Sequence, residues 1–160
     1  MKYLLVGAAA AALLAAAAGS AQAQTTYTNS ALNGCYAHHS TSVDTEPGAV
    51  NRDNVGTLCF DGNGNIVGTS GTPALSGHVS NSDGTAKTTT DEAATYAVTN
   101  TPGDGMGTFT FRCNSDAFVL KNIDANGLAH GFDFILTQRT GKCSGPEVIG
   151  GGAEYQGPLK

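Results

Sequence analysis

Apolar and polar side chains alternate one for one in short runs along this chain, and clusters of Gly, Asn and Asp separate the runs. That period of two belongs to β-strands with one buried face, because successive side chains leave the backbone on opposite sides. Phe109 and Phe111 share a face opposite Thr108, Thr110 and Arg112, and Phe118 and Leu120 lie opposite Lys121. His130, Phe132, Phe134 and Leu136 oppose Asp133, Tyr96 and Val98 oppose Thr95 and Thr99, and Leu58 and Phe60 oppose Thr57. Beyond residue 23 no segment keeps helical spacing over the roughly 10 residues that a helix needs.

The alternation predicts strands near Gly34–Val43, Asn54–Phe60, Ile66–Ser70, Ala74–Ser80, Ala94–Asn100, Gly107–Cys113, Ala117–Ile123, Leu128–Gln138 and Glu154–Leu159. DGNG at Asp61, SDGT at Ser82, PGDG at Pro102 and DANG at Asp124 supply the turn chemistry between them. Residues 81–93 read as a longer polar loop, and Gly150–Gly152 as a flexible stretch before the last strand. Strands with one apolar face must cover that face or close on themselves. An all-β fold is therefore expected, an antiparallel up-and-down barrel of 8–9 strands, with a two-sheet β-sandwich as the alternative.

The first residues, MKYLLVGAAAAALLAAAAGSAQAQ, carry one charge at Lys2, an apolar run from Tyr3 to Ala18 and an A-x-A site ending at Ala23. They read as a cleaved secretory signal peptide spanning 1–23, which leaves a single domain at 24–160 that is secreted or periplasmic. No later segment is apolar enough to cross a bilayer as a helix, and the short, threonine-rich strands do not suit an outer-membrane barrel. Without Lys2, the 8 Lys and Arg fall to 7 against 13 Asp and Glu, a net charge of −6. That balance argues against nucleic acid or an anionic membrane surface as a partner.

After export the four cysteines, Cys35, Cys59, Cys113 and Cys143, read as two disulfides, since no C-x-x-C pair suggests zinc. In a meander the first and last residues of a hairpin lie side by side. This places Cys35 by Cys59 and Cys113 by Cys143. Each bridge would contribute roughly 3 kcal/mol by restricting the unfolded chain.

FDGNGN at Phe60 places oxygen-bearing side chains at alternate positions, as a calcium loop does. Counted from Asp61, however, the sixth and twelfth positions are Ile66 and Thr72, where an EF-hand loop needs Gly and Glu. The stretch reads as a hairpin turn, and no metal or cofactor is expected. G-x-S-x-G, H-E-x-x-H, P-loop and dinucleotide-binding patterns are lacking. The acids Asp44 and Glu46, and the pair Asp91 and Glu92, read as solvated loop residues. His38 and His39 are neighbours on a strand, so they face opposite ways and are poorly placed to bind one metal together.

LNGCYAHHS at Leu32, GTLCFDGNGNIVG, ATYAVTNTPGDGMGTFTF and HGFDFIL at His130 together resemble a pattern in uncharacterised secreted bacterial proteins of small β-barrel type. The resemblance covers about Leu32 to Leu136 and implies a calycin-like architecture, similar to lipocalins and avidins. Where those proteins commonly carry a first-strand tryptophan, this chain has Tyr36.

The leading functional expectation is non-catalytic binding of a small apolar ligand, or of a cell-surface partner. The candidate ligand-binding residues are Tyr36, His38, Tyr96, Phe109, Phe111, Phe118, His130, Phe132 and Phe134, with no catalytic residue assigned. A cofactor-free cyclase or isomerase, using Tyr36, His38 or His130 on the barrel wall, is a second reading, by architectural analogy. A structural or assembly role at the cell surface or matrix is a third. Non-reducing peptide mapping is expected to recover Cys35 joined to Cys59 and Cys113 joined to Cys143. A peptide linking Cys35 to either of the later cysteines would break the strand order.

Overall fold

The computed structural model describes residues 25–44, 48–68, 75–91, 94–99, 103–111, 114–139 and 147–159. The leader at 1–23 and the Cys113–Cys143 pair lie outside them. After a short 3-10 turn at Asn29–Ala31 come β1 (Asn33–Asp44), β2 (Arg52–Asp61), β3 (Asn65–Val67), β4 (Leu75–Asn81) and β5 (Ala86–Asp91). Then follow β6 (Ala94–Val98), β7 (Met106–Thr110), β8 (Asn114–Ile123), β9 (Ala129–Arg139) and β10 (Glu147–Gly157).

All pairings are antiparallel, and eight strands close a ring in the order β1, β10, β9, β8, β7, β6, β3, β2 and back to β1. The fold is thus the expected up-and-down barrel, and closure leaves these eight strands without a free edge. β4 and β5 stand outside the ring as a hairpin on β2. The edge of β2 is shared, with Cys59 and Phe60 pairing with β3 and Arg52 to Leu58 pairing with β4. The seam from β3 to β6 is only two residue pairs long, Asn65 with Thr95 and Ile66 with Ala94.

Three local expectations need correction. The polar stretch 81–93 contains β5, a strand whose alternation is invisible because β-branched Thr88, Thr89 and Thr90 favour extended backbone without a greasy face. Gly150–Gly152 is no loose stretch but the middle of β10, paired on both sides. A Cβ on Gly151 would meet the His39 carbonyl oxygen and come within 2.9 Å of Phe134 Cζ, so the glycine admits the ring and the neighbouring strand. Nor are the strands uniformly short, since β1 has 12 residues and β9 and β10 have 11 each. On the outer face of the β8–β9 pair, Lys121 Nζ lies 3.0 Å from Asp133 Oδ1.

In the β1–β2 hairpin Cys35 faces Cys59 directly, and the two form a disulfide of 2.08 Å. Aspartate builds the turns. The Asp61 carboxylate accepts hydrogen bonds from Asn63 N (2.7 Å), Asn65 N (3.0 Å) and Asn65 Nδ2 (2.7 Å). Slight burial alone would raise its pKa, but these bonds outweigh it and hold the carboxyl below its usual value. Both oxygens serve the turn, as the hairpin reading of FDGNGN requires. Asp83 and Asp124 do likewise, accepting from Thr85 N (2.9 Å) and from Asn126 N (2.8 Å) and Leu128 N (3.0 Å).

One half of the barrel is solid with rings. Phe60, wholly buried, has its centroid 5.3 Å from Tyr36, 5.1 Å from Tyr96, 5.6 Å from Phe132 and 5.7 Å from Phe109. Phe118 stacks on Phe109 at 4.3 Å. Leu32 and the 3-10 turn plug this end, and the Tyr96 hydroxyl lies 2.8 Å from the Asn29 carbonyl and 2.9 Å from that of Leu32. The Asn29 side chain in turn accepts from Val98 N at 2.9 Å. Tyr36 Oη donates to the Ala129 carbonyl at 2.7 Å, so both buried tyrosines have their polar ends satisfied. Gly151→Ala should lower unfolding stability by roughly 1–3 kcal/mol through overpacking against Phe134 and β1. Urea denaturation checks this, and an unchanged midpoint would mean that the packing there is slack.

Candidate functional site

The alternation that fills one half of the barrel with aromatic rings changes character in the other half. Moving along the inward face of β1 from Tyr36, the next positions are His38, Ser40 and Ser42. On β2 the inward face runs back from Phe60 and Leu58 to Gly56 and Asn54, and on β8 from Phe118 to Asp116 and Asn114. Small and polar residues replace rings, and the interior does not fill. A cavity of about 140 Å³, open on one side, is lined by His38, Ser40, Asn54, Leu58, Asn114 and Asp116 together with Phe109, Phe111, Phe134 and Ile149. Two larger depressions, of about 440 Å³ beside the 3-10 turn and 280 Å³ beside β4, are lined largely by exposed polar side chains.

The cavity wall holds polar groups that the fold leaves without partners. Among the described residues, five buried polar atoms have no hydrogen-bond partner: His38 Nδ1, Asn54 Oδ1, Asn114 Oδ1, Asp116 Oδ1 and Arg139 Nε. The first four belong to residues that line this one cavity. His38 is 6% exposed and Asp116 4%, so neither is a surface group. Leaving such an atom unpaired costs about 1–3 kcal/mol each, which makes four in one place an unusual concentration.

Burial also sets their charge. Removed from water, the Asp116 carboxyl is pushed up to about 7, with desolvation the cause. His38 is pushed down to about 4 by the same desolvation and by His39 beside it, against a backbone hydrogen bond at Gly56 that works the other way. Between those values the cavity holds a neutral imidazole and a largely protonated carboxyl. Both groups resist acquiring charge.

At the rim, Glu147 lies between two arginines. Its side chain is 3% exposed and accepts hydrogen bonds from Arg139 and the Ser42 hydroxyl, with Arg52 Nη1 at 3.5 Å. The carboxylate ties β10 to β1, β2 and β9 above the cavity, and a buried charge so paired is costly to orphan.

The nine sequence candidates fall into separate places. His38, Phe109, Phe111 and Phe134 line the cavity. Tyr36, Phe118 and Phe132 are packed core, and Tyr96 anchors the plugged end. His130 stands apart, with its side chain 45% exposed, its Nε2 3.4 Å from Asp124 Oδ2 and its ring against Tyr155. Opposite it on β8, Asn122 takes a φ of 52°, and the burial pattern changes parity there: Ala129 is buried and His130 exposed, although Phe132 is buried again. His130 therefore does not converge with Tyr36 and His38. Asp116, Asn54 and Asn114 were missed by sequence reasoning, although each lies an even number of residues from an identified core position, two from Phe118, four from Leu58 and four from Phe118. That parity was the available signal.

No protein-family model, curated protein or solved structure matches the chain. What the geometry itself defines is a small closed antiparallel barrel, solid at one end and hollow at the other. No helix among the described residues is long and apolar enough to cross a membrane.

Because the folded state holds the Asp116 proton up to about pH 7 and the unfolded chain releases it near the ordinary carboxyl value, this group's contribution to stability falls as pH rises between them. Asp116→Asn removes that penalty. The variant should gain stability relative to wild type between pH 4 and pH 8, by up to about 4 kcal/mol. Urea unfolding at both pH values checks it, and a pH-independent difference would show that Asp116 does not titrate there.

Proposed function

We propose that this is an exported barrel protein that binds one small molecule, without catalysis, in the hollow half of its interior. The observation that carries the reading is that four residues with an unpartnered buried polar atom line a single cavity. Ligand pockets combine apolar walls with a few convergent polar groups, and Phe109, Phe111, Phe134, Leu58 and Ile149 supply the walls here. A cavity of 140 Å³ compares with one of about 150 Å³ known to hold benzene. One ring or a compact aliphatic group would fit, with the remainder reaching the open side.

Export is supported by the leader-like residues 1–23 and by the Cys35–Cys59 disulfide, which persists in oxidising compartments. The calycin-like pattern at Leu32–Leu136 favours the same interior binding mode. The isomerase reading draws on His38 and Asp116 sharing one cavity, an acid–base pair in principle. It is the weaker reading, because binding requires the unpartnered atoms whereas turnover would further require a reacting geometry.

Protein isolated from its own host should carry a non-covalent mass adduct in native mass spectrometry. Ser40→Phe, which places a ring in the cavity, should abolish that adduct while the far-ultraviolet circular dichroism spectrum stays that of a β-protein. An adduct retained at full occupancy in Ser40→Phe would move the binding site elsewhere.

A further inference from the structure

We infer that the cavity selects an organic cation with N–H donors, a primary ammonium on an aromatic or compact apolar body, because an unpartnered, buried carboxyl and three phenylalanine rings line it. This deepens the binding reading above and rests on it.

Three of the four unpartnered atoms are oxygens able to accept hydrogen bonds. Asn54 Oδ1 and Asn114 Oδ1 are amide carbonyl oxygens, and Asp116 Oδ1 is a carboxyl oxygen. His38 Nδ1 has no partner either, and a neutral imidazole keeps one nitrogen that accepts and one that donates. Arg139 Nε, also unpartnered among the described residues, belongs to the Glu147 cluster and does not line the cavity. A ligand with only acceptors, such as a carboxylate or a ketone, would leave these atoms unpaired and add repulsion. A group with several N–H donors can satisfy them, and an ammonium has three.

The walls suit the same guest. Phe109, Phe111 and Phe134 surround the polar set, and aromatic faces attract a desolvated cation. Asp116 is the only carboxyl among the described lining residues, and its ionised form would complete the pair. The acidic net charge of the chain favours arrival of a cation over an anion.

Proton linkage follows from the groups that face the cavity. Asp116 on β8 holds its proton up to about pH 7, so an ammonium arriving at pH 6 must displace it. His38 on β1 remains neutral at that pH. Glu147 on β10, Arg52 on β2 and Arg139 on β9 are paired with one another at the rim. Binding should therefore release about one proton per ligand at pH 6 and almost none at pH 8.5.

Isothermal titration of the purified, disulfide-intact protein with benzylammonium, benzyl alcohol and benzoate tests this, since the probes share a ring and differ in donors and charge. At pH 8.5 benzylammonium is expected to bind at least tenfold more tightly than benzyl alcohol, and benzoate more weakly than either. Asp116→Asn should reduce the preference for benzylammonium over benzyl alcohol to within about threefold. Proton release, read from titrations in buffers of different ionisation heat, should follow the pH course given above. Equal affinity for the three probes, or benzoate as the tightest, would overturn the donor selectivity and leave the cavity as a binding site. Binding of none would remove both this inference and the function on which it rests. The wild-type comparison decides the matter even if Asp116→Asn fails to fold.

Discussion

The aromatic cluster centred on Phe60 is the constraint from which the rest of the molecule follows. Four rings pack against it within 6 Å, drawn from β1, β6, β7 and β9, so one residue on β2 is in contact with most of the ring of strands. Close-packed rings fix the barrel radius at that level, because a smaller or larger circumference would open voids or force clashes. The Cys35–Cys59 bridge lies beside this cluster and holds β1 against β2 in the same register. Together they make the plugged end the rigid one.

The hollow end follows by subtraction. A circumference set by rings cannot be filled by serine, asparagine and glycine at the next levels of β1 and β2, so the radius that packs well around Phe60 leaves space around His38 and Asn54. The short β3–β6 seam and the diversion of β2's edge to β4 leave that half less enclosed by strand pairing. Stability and binding are thereby divided along the barrel axis. The fold draws its packing from one end and can leave buried polar atoms unpaired at the other.

The unpaired atoms carry a stability cost that a well-filled core would avoid. His38 and Asp116 each hold a displaced ionisation for the same reason, low dielectric without a compensating charge. Glu147 shows the contrasting solution, a buried carboxylate answered by two arginines and a hydroxyl. Among the described residues lining the cavity, no cationic side chain answers Asp116. A group that the fold could have neutralised and did not is one that a ligand can reward.

Strand periodicity, the aspartate turns and the β1–β2 disulfide were legible in the residues because each depends on near neighbours. A side chain's face follows from parity, a turn from four residues, and a hairpin bridge from the turn between its strands. The residues Phe109, Phe111, Phe132 and Phe134 could be placed inside on this basis, but not sorted into core and cavity wall. That division depends on what stands across the barrel, at separations such as the 78 residues between His38 and Asp116. The strand β5, with no greasy face, and the exposed position of His130 were likewise decided by pairing and by the local turn of the backbone at Asn122. The sequence by itself determined a sheet with one apolar face; only tertiary closure decided which part of that face meets another side chain and which meets open space, because packing is a property of opposed surfaces and not of a single strand.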